Sequence, residues 1–422
     1  MTIPLNTEQQ AAIDAILAWY HAPWSEETSF FLMRGPAGTG KTFTLQSLLP
    51  EIKGRIAFTA PTNKATRVLR QTLTRPDYKP ECSTIYSLLG LSLSANGEVK
   101  ELTTPDEPVD LTRYRLVVVD EGSMIGSVLK SHIYREAFGA QAKILIMGDD
   151  CQLPPVGEPL SDVFKIPQQV SLTKVMRHDN QILDLVTRVR QQIGRAVPTI
   201  SLASNNDGEE GVWKHSSESA FLRRALDVVD SFAMPDESKI IAWRNVTVDK
   251  YNKQIRQVLF PGAKGPWVPG DRVLFMEPAY DLEGKKVAST DDEGTVQAVS
   301  EGWHPEYGDF KVWNVTIQLD TNQLVVARVL HEESLAAFTR RAEAMAQEAR
   351  IERRKWKAFW EFKEAFHKLR WAYAITAHRA QGSSYRNAFV DWRDILLNRD
   401  RQEAYRCLYV AGSRPKTQLH LS

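Results

Sequence analysis

Eight residues, Gly35-Pro36-Ala37-Gly38-Thr39-Gly40-Lys41-Thr42, have the make-up of a loop that wraps phosphate. They fit G-x-x-x-x-G-K-[ST], in which main-chain N–H groups cradle the anion and the lysine adds a charge. The glycines let the chain turn tightly and approach a ligand without side chains. A helix start after the loop directs its dipole at the same anion. On this reading Lys41 reaches the β- and γ-phosphates of a nucleoside triphosphate, ATP, and Thr42 ligates Mg²⁺. A second string, Leu-Val-Val-Val-Asp-Glu at Leu116–Glu121, ends an apolar run in two acids. Asp120 suits Mg²⁺ through its water shell, and Glu121 suits the orientation or deprotonation of an attacking water.

These groups need a scaffold that delivers strand ends to one edge. Phe30–Met33, Arg55–Ala60, Leu116–Asp120 and Ile144–Gly148 read as buried strands, with helical patterns at Phe43–Leu49 and Lys64–Leu73 between them. Such alternation predicts an α/β fold with a parallel sheet covered on both faces, whose ligands sit at the carboxyl ends of the strands. Around Asn96-Gly97 the residues 91–110 read as an inserted β-hairpin. A second alternating block has a buried strand at Ile240–Trp243 and a helix from Tyr251 to Val258. The Gly/Pro-rich stretch Gly262–Gly270 is a boundary. Beyond it, Arg272–Met276, Glu293–Val299, Lys311–Leu319 and Gln323–Val329 predict a small all-β barrel, followed by a helical region to Leu369. Trp371–Ala374, Ala388–Asp391 and Leu408–Val410 read as strands of a second parallel sheet. Trp356 and Trp360, four apart, predict an apolar helix face packed on the barrel, and the basic run Arg350–Lys357 a solvated face.

Composition permits several classes and excludes a few. The chain has 422 residues, 43% hydrophobic and 25% charged, and so is long enough for two or more globular domains. A net charge of +1 does not mark a nucleic-acid binder, although a local basic groove would suffice for one. Cys82, Cys151 and Cys407 are isolated, which argues against disulfide scaffolds and zinc sites and for a reducing cytosol. The absence of a long apolar run and of a basic–apolar leader points away from membrane and secretion.

A third strand end, IMGDDCQLPPV at Ile146–Val156, joins the first two strings, and the set resembles the superfamily one helicases. More narrowly it is similar to their 5′-to-3′ branch, the RecD/Dda-like helicases, on the Dda side. Further strings carry the likeness: LNTEQQAAI at Leu5–Ile13, APTNKAT at Ala60–Thr66, STIYSLLG at Ser83–Gly90, LTKVMR at Leu172–Arg177, ITAHRAQGSSY at Ile375–Tyr385 and LYVAGSRPK at Leu408–Lys416. The chain departs from the family's habit at Gly412-Ser413, where Leu-Thr is usual, and at Ala242-Trp243-Arg244-Asn245, where Ala-Phe-Thr-Asn is usual.

The resemblance implies two RecA-like domains. The first is expected over residues 1–171 with the hairpin at 91–110. The second is expected over 172–262 and 371–422, carrying an insert at 263–370 that joins an SH3-like barrel to the helical region. It implies that Gln9 reads adenine, that Gln152 reports the γ-phosphate, that Arg177 and Arg414 face it as arginine fingers, and that Gly382 lies at the nucleotide. Single-stranded DNA would be held by Pro61, Thr62, Asn63, Lys64 and Thr84, with His378 and Gln381 opposite. The implied activity is ATP- and Mg²⁺-dependent travel 5′ to 3′ with separation of duplex at single-strand/double-strand junctions. The chain would act as a monomer in the cytoplasm of a bacterial or phage-infected cell, with a single-strand-binding or replication protein as a further partner. An RNA helicase, a translocase that strips bound proteins without unwinding, and a P-loop kinase are the alternatives, the kinase leaving the motifs after Arg177 unexplained.

Overall fold

In the computed structural model, residues 4–93, 99–101, 110–174 and 181–422 are described. They fall into two compact units: Met1–Lys214 with Ala380–Ser384 and Trp392–Leu421, and His215–Arg379 with Tyr385–Asp391 and Ser422.

The first unit is organised by a six-stranded sheet in the order Glu81–Thr84, Ile56–Ala60, Leu116–Val119, Lys143–Gly148, Phe30–Arg34, Gln169–Ser171. Every neighbouring pair is parallel, with Leu32 opposite Ile146 and Phe58 opposite Val118. Side chains alternate faces along a strand, and both faces are apolar. Phe30, Leu32, Val117, Val119, Ile144 and Ile146 enter one core, while Phe31, Met33, Leu116, Val118, Leu145 and Met147 enter the other. Helix Thr7–His21 packs in the second core and starts with a reciprocal cap between Asn6 and Gln9. The expected hairpin has its two strands, Leu91–Leu93 and Val99–Glu101, paired antiparallel; its Asn96-Gly97 turn lies outside the described residues. Strands Asn205–Asn206, Gly211–Lys214 and Pro415–Leu421 pair in that order, beside helices Gln181–Arg190 and Arg401–Gly412.

Two sequence expectations are corrected here. Leu408–Val410 is not a strand but part of helix Arg401–Gly412. The Asp400 carboxylate accepts the N–H groups of Gln402 and Glu403, and this cap commits the following residues to a helix. Trp371–Ala374 is not one strand: Leu369–Trp371 belongs to the antiparallel sheet and Ala374–Thr376 to the parallel one.

In the second unit Ser238–Ala242 lies between Ala374–Thr376 and Tyr385–Val390, all parallel. The all-β expectation is met by five antiparallel strands in the order Leu324–Leu330, Lys311–Leu319, Glu293–Trp303, Arg272–Phe275, Leu369–Trp371. A bridge between Val329 and His367 brings the two outer strands together into a barrel. Arg272 is buried beneath it, bonded to Asp320 (2.7 Å) and to Glu293, which also takes Lys239 at 2.9 Å. Helices Leu335–Ile351 and Trp356–Glu364 follow. Phe310, Phe362 and Phe366 form their core. The packed face expected of Trp356 and Trp360 is met in part: Phe359, Phe362 and Phe366 take the buried positions, Trp356 is half-buried against Phe359, and Trp360 is 39% exposed. No helix among the described residues is long and apolar enough to cross a membrane.

His367 makes the barrel sensitive to acid. Its Nδ1 accepts the Arg328 N–H at 3.0 Å, which fixes the neutral tautomer whose Nε2–H donates to the Tyr280 carbonyl. Burial, aided by Arg328, pushes its pKa down to about 4. The unfolded chain takes up a proton near pH 6.5 and the folded one does not until about pH 4, so stability falls as pH drops through this window. The loss is about 2 kcal/mol by pH 5. Urea unfolding of this unit at pH 7.5 and 5.0 measures it; the His367→Gln variant, with less to lose, should show a flatter dependence, and an equal slope would remove His367 as the cause.

Candidate active site

The carboxyl ends of the central strands converge at one edge of the first sheet. Arg34 leads into the glycine loop, Val119 into Asp120 and Gly148 into Asp149. Helix Lys41–Leu48 starts at Gly40, whose φ of +82° is left-handed and which carries no side-chain cap. A Cβ there would also lie 2.6 Å from the Gln9 amide nitrogen, so only glycine fits. The first-turn N–H groups have no intrahelical acceptor and face the loop. The Lys41 ammonium donates to the carbonyls of Gly35 (2.6 Å) and Pro36 (3.1 Å), which lays it across the mouth of that loop. Gln9 is buried with both ends of its amide engaged: Oε1 accepts the Asn6 N–H and Nε2 donates to the Thr39 carbonyl at 3.2 Å. The residue expected at adenine thus ties the first helix to the phosphate loop.

Asp120 accepts the Glu121 N–H at 2.8 Å. Glu121 has φ +54°, a left-handed backbone that costs a non-glycine residue about 1 kcal/mol or more. The next residue explains how it is held: a Cβ on Gly122 would lie 2.7 Å from Ile146, so Glu121 is turned outwards by close packing of Gly122 on the neighbouring strand. Burial raises the Asp120 pKa. Burial and the adjacent Asp120 push Glu121 up to about 7, with Arg414 and Lys41 acting in the opposite direction. Thr42, in the first turn after the loop, and Asp120, at the end of a neighbouring strand, offer only oxygen donors, and that chemistry fits Mg²⁺.

Helix Arg401–Gly412 and the turn at Ala380–Ser384 complete the surroundings. Arg414 is buried. Its Nε donates to the Val410 carbonyl (2.9 Å), one terminal nitrogen to Ser413 Oγ (2.7 Å) and the other to the Ser383 carbonyl (3.1 Å). Gln381 donates to Ser123 Oγ at 3.0 Å and to the Gln152 side-chain oxygen at 3.1 Å. Arg406 donates to the carbonyls of Asp150 and Gln152 at 2.6 and 2.7 Å. The Tyr409 hydroxyl donates to Asp149 at 2.5 Å and accepts the Ala37 N–H of the phosphate loop at 3.2 Å. Burial and Asp149 raise its pKa well above 10, so it stays a neutral donor.

Of the residues expected to act on the nucleotide, Lys41, Thr42, Asp120, Glu121, Gln152 and Arg414 fall within the first unit, as does the loop Gly35–Gly40. Arg177 lies outside the described residues. Gly382 turns with φ +74° against Ala65, where a Cβ on it would lie 3.1 Å from the Ala65 Cβ. Among the strand-contact candidates, Thr62 and Thr84 cap the helices that begin at Asn63 and Ile85. Pro61 is buried, Asn63 and Lys64 are half-buried, and His378 is exposed on the second unit. Gln381, also expected at the strand, is buried beside Gln152. Sequence reasoning missed Arg406 and Tyr409. Tyr409 sits inside the Leu408–Lys416 string already singled out, but its partners lie hundreds of positions away.

A parallel sheet ending in a phosphate loop, paired acids and a buried arginine just beyond a distant helix defines a P-loop nucleoside triphosphatase of RecA-like design. Residues 4–205 match the family described as AAA domain, and 371–422 that described as UvrD-like helicase C-terminal domain. The chain is 25% identical to the ATP-dependent DNA helicase dda of Enterobacteria phage T4, over 92% of this chain and 93% of that one. It is 34% identical to the ATP-dependent RecD2 DNA helicase of Deinococcus radiodurans, over 35% of this chain and 19% of that one. The Pif1 helicase from Bacteroides in complex with ADP-AlF3 and ssDNA shares the fold, with a TM-score of 0.53 at 16% identity, covering 99% of this chain and 92% of that one. Along nearly its whole length the chain is thus similar to superfamily one helicases of the Dda/RecD-like branch.

Proposed function

We propose that the chain is an ATP-dependent DNA helicase that moves 5′ to 3′ along single-stranded DNA and parts duplex at junctions. The observation that carries the coupling is the Gln152–Gln381 hydrogen bond. Gln152 follows the strand end beside the phosphate loop, and Gln381 precedes Gly382, which rests on Ala65 of the helix that opens with Asn63 and Lys64. A change at the γ-phosphate would thus pass through two contacts, Gln152 with Gln381 and Gly382 with Ala65, to the helix that carries the candidate strand-binding residues Asn63 and Lys64.

In hydrolysis, Glu121 orients a water and takes its proton as the water oxygen bonds to the γ-phosphorus. The bond from that phosphorus to the β-phosphate oxygen breaks, leaving ADP and phosphate. Lys41 and Arg414 stabilise the charge on the transferred group, and Arg177 is the proposed second finger. Thr42 and Asp120 would hold Mg²⁺, which supplies charge neutralisation on the phosphates. The RecA-like domains are assigned to 1–171 and to 172–262 with 371–422, the insert to 263–370. A cytoplasmic monomer that meets a single-strand-binding or replication protein completes the reading.

Unwinding of one duplex bearing either a 5′ or a 3′ single-stranded tail tests it. Separation of the 5′-tailed substrate alone is expected. Separation of only the 3′-tailed one overturns the polarity. Hydrolysis stimulated by DNA with neither duplex parted favours the stripping translocase, and hydrolysis indifferent to DNA removes the motor.

A further inference from the structure

Helix Arg401–Gly412 holds the base of the phosphate loop through one hydroxyl. Among the first loop residues, Gly35 gives its N–H to the Gly148 carbonyl at 3.0 Å, and Pro36 has none to give. Ala37 gives its N–H to the Tyr409 oxygen at 3.2 Å. An amide N–H can only donate, so the phenol must accept here and send its own proton to Asp149. Asp149 is 1% exposed. One of its oxygens takes the Cys151 N–H at 3.1 Å and faces Arg190 at 3.6 Å, and the other takes Tyr409. Gly148 and Asp149 thus anchor the two ends of the stretch Gly35–Ala37, the second by way of the phenol.

The last turn of the same helix also sets the arginine. The carbonyl of Val410, the residue after Tyr409, accepts Arg414 Nε at 2.9 Å. Ser413 Oγ and the Ser383 carbonyl take the terminal nitrogens. Adjacent residues of a helix are held about 1.5 Å apart along its axis, so the loop and the guanidinium are both referred to one rigid element. Core packing accounts for the buried Tyr409 ring but not for its hydroxyl, which costs free energy to bury unless it is bonded.

We propose that Tyr409 is a positioning residue for ATP hydrolysis: its hydroxyl fixes the base of the phosphate loop with respect to Arg414, and so sets how a γ-phosphate bound by the loop meets the guanidinium. The assignment rests on the reading of Arg414 as an arginine finger. ATP is gripped further along the loop, by Lys41 and the N–H groups at the helix start, so the hydroxyl contributes to turnover and not to affinity.

Tyr409→Phe removes the hydroxyl and keeps the ring. Single-turnover hydrolysis at saturating ATP and oligothymidylate, together with fluorescent-nucleotide binding, is compared for the wild type, Tyr409→Phe, Arg414→Ala and the double variant. Tyr409→Phe should lower the rate about tenfold or more, as a small misplacement of reacting groups does, and leave nucleotide affinity within about threefold. In the Arg414→Ala background nothing remains to be aligned, and the same change should cost less than about twofold, the non-additivity of two residues that act through one another. A hydroxyl needed only for stability would cost the same factor in both backgrounds. Equal factors, a loss confined to affinity, or a wild-type rate in Tyr409→Phe overturns the proposal. Arg414→Ala hydrolysing at the wild-type rate removes the finger reading and the alignment with it, whereas a slow Arg414→Ala beside an unimpaired Tyr409→Phe removes the alignment alone.

Discussion

Glu121→Gln should bind ATP at least as tightly as the wild type and hydrolyse it on the order of a thousandfold more slowly, the scale of a lost general base. The change keeps the size of the side chain and the left-handed turn held by Gly122, so ATP meets the same loop with one negative charge fewer nearby. Single-turnover hydrolysis alongside fluorescent-nucleotide binding separates the two effects. The pKa of about 7 adds a second signature. The base works only when deprotonated, so wild-type turnover should fall as pH drops below 7, and the residual activity of the variant should lack that limb. The same substitution should stabilise the nucleotide-free protein. A carboxyl whose pKa is raised from about 4.5 to 7 loses folding stability as pH rises through that interval, and the uncharged amide recovers about 3 kcal/mol at pH 7.5. A variant that hydrolyses ATP within tenfold of wild type would transfer the base to another group.

The second large effect is expected at Arg414. Its replacement by Ala should lower DNA-stimulated turnover by about a thousandfold or more, the range seen when a transferring phosphoryl group loses its arginine. Arg414→Lys should not restore it. The guanidinium uses three nitrogens on Val410, Ser413 and Ser383, and a single ammonium cannot hold that fork. ATP binding should weaken far less than turnover. Loss confined to the Michaelis constant would reduce Arg414 to a structural arginine that pins helix Arg401–Gly412 to the turn at Ser383.

The parts of the site that act through local strings were legible in the sequence. The phosphate loop, Asp120-Glu121 and the strands carrying them need only their own neighbours to take shape, and the barrel strands betray themselves by alternation. Long-range packing hid the rest. The Leu-Tyr-Val triplet at 408–410 has the character of a strand, yet the cap at Asp400 makes it helical. Phenylalanines at 359, 362 and 366 won the buried face over two larger tryptophans, because a three- and four-residue spacing fits several sets of residues on one short helix. For Gln9 the sequence offered only a contact with adenine, and its bond to the Thr39 carbonyl of the phosphate loop came into view with the fold. Arg406 and Tyr409 could not be read at all, since their roles exist only where the chain returns to Asp149–Gln152 after some 250 residues.

That return constrains the kind of message Gln152 can send. Arg406 grips the carbonyls on both sides of Cys151, so the main chain of this loop cannot drift. Only the terminal amide of Gln152 is left to answer a phosphate, and its oxygen already serves Gln381. On the proposed reading, its amide nitrogen would donate to a phosphate while its oxygen keeps Gln381. One side chain on a pinned loop would then join the two partners, and loss of the phosphate would slacken the Gln381 side directly.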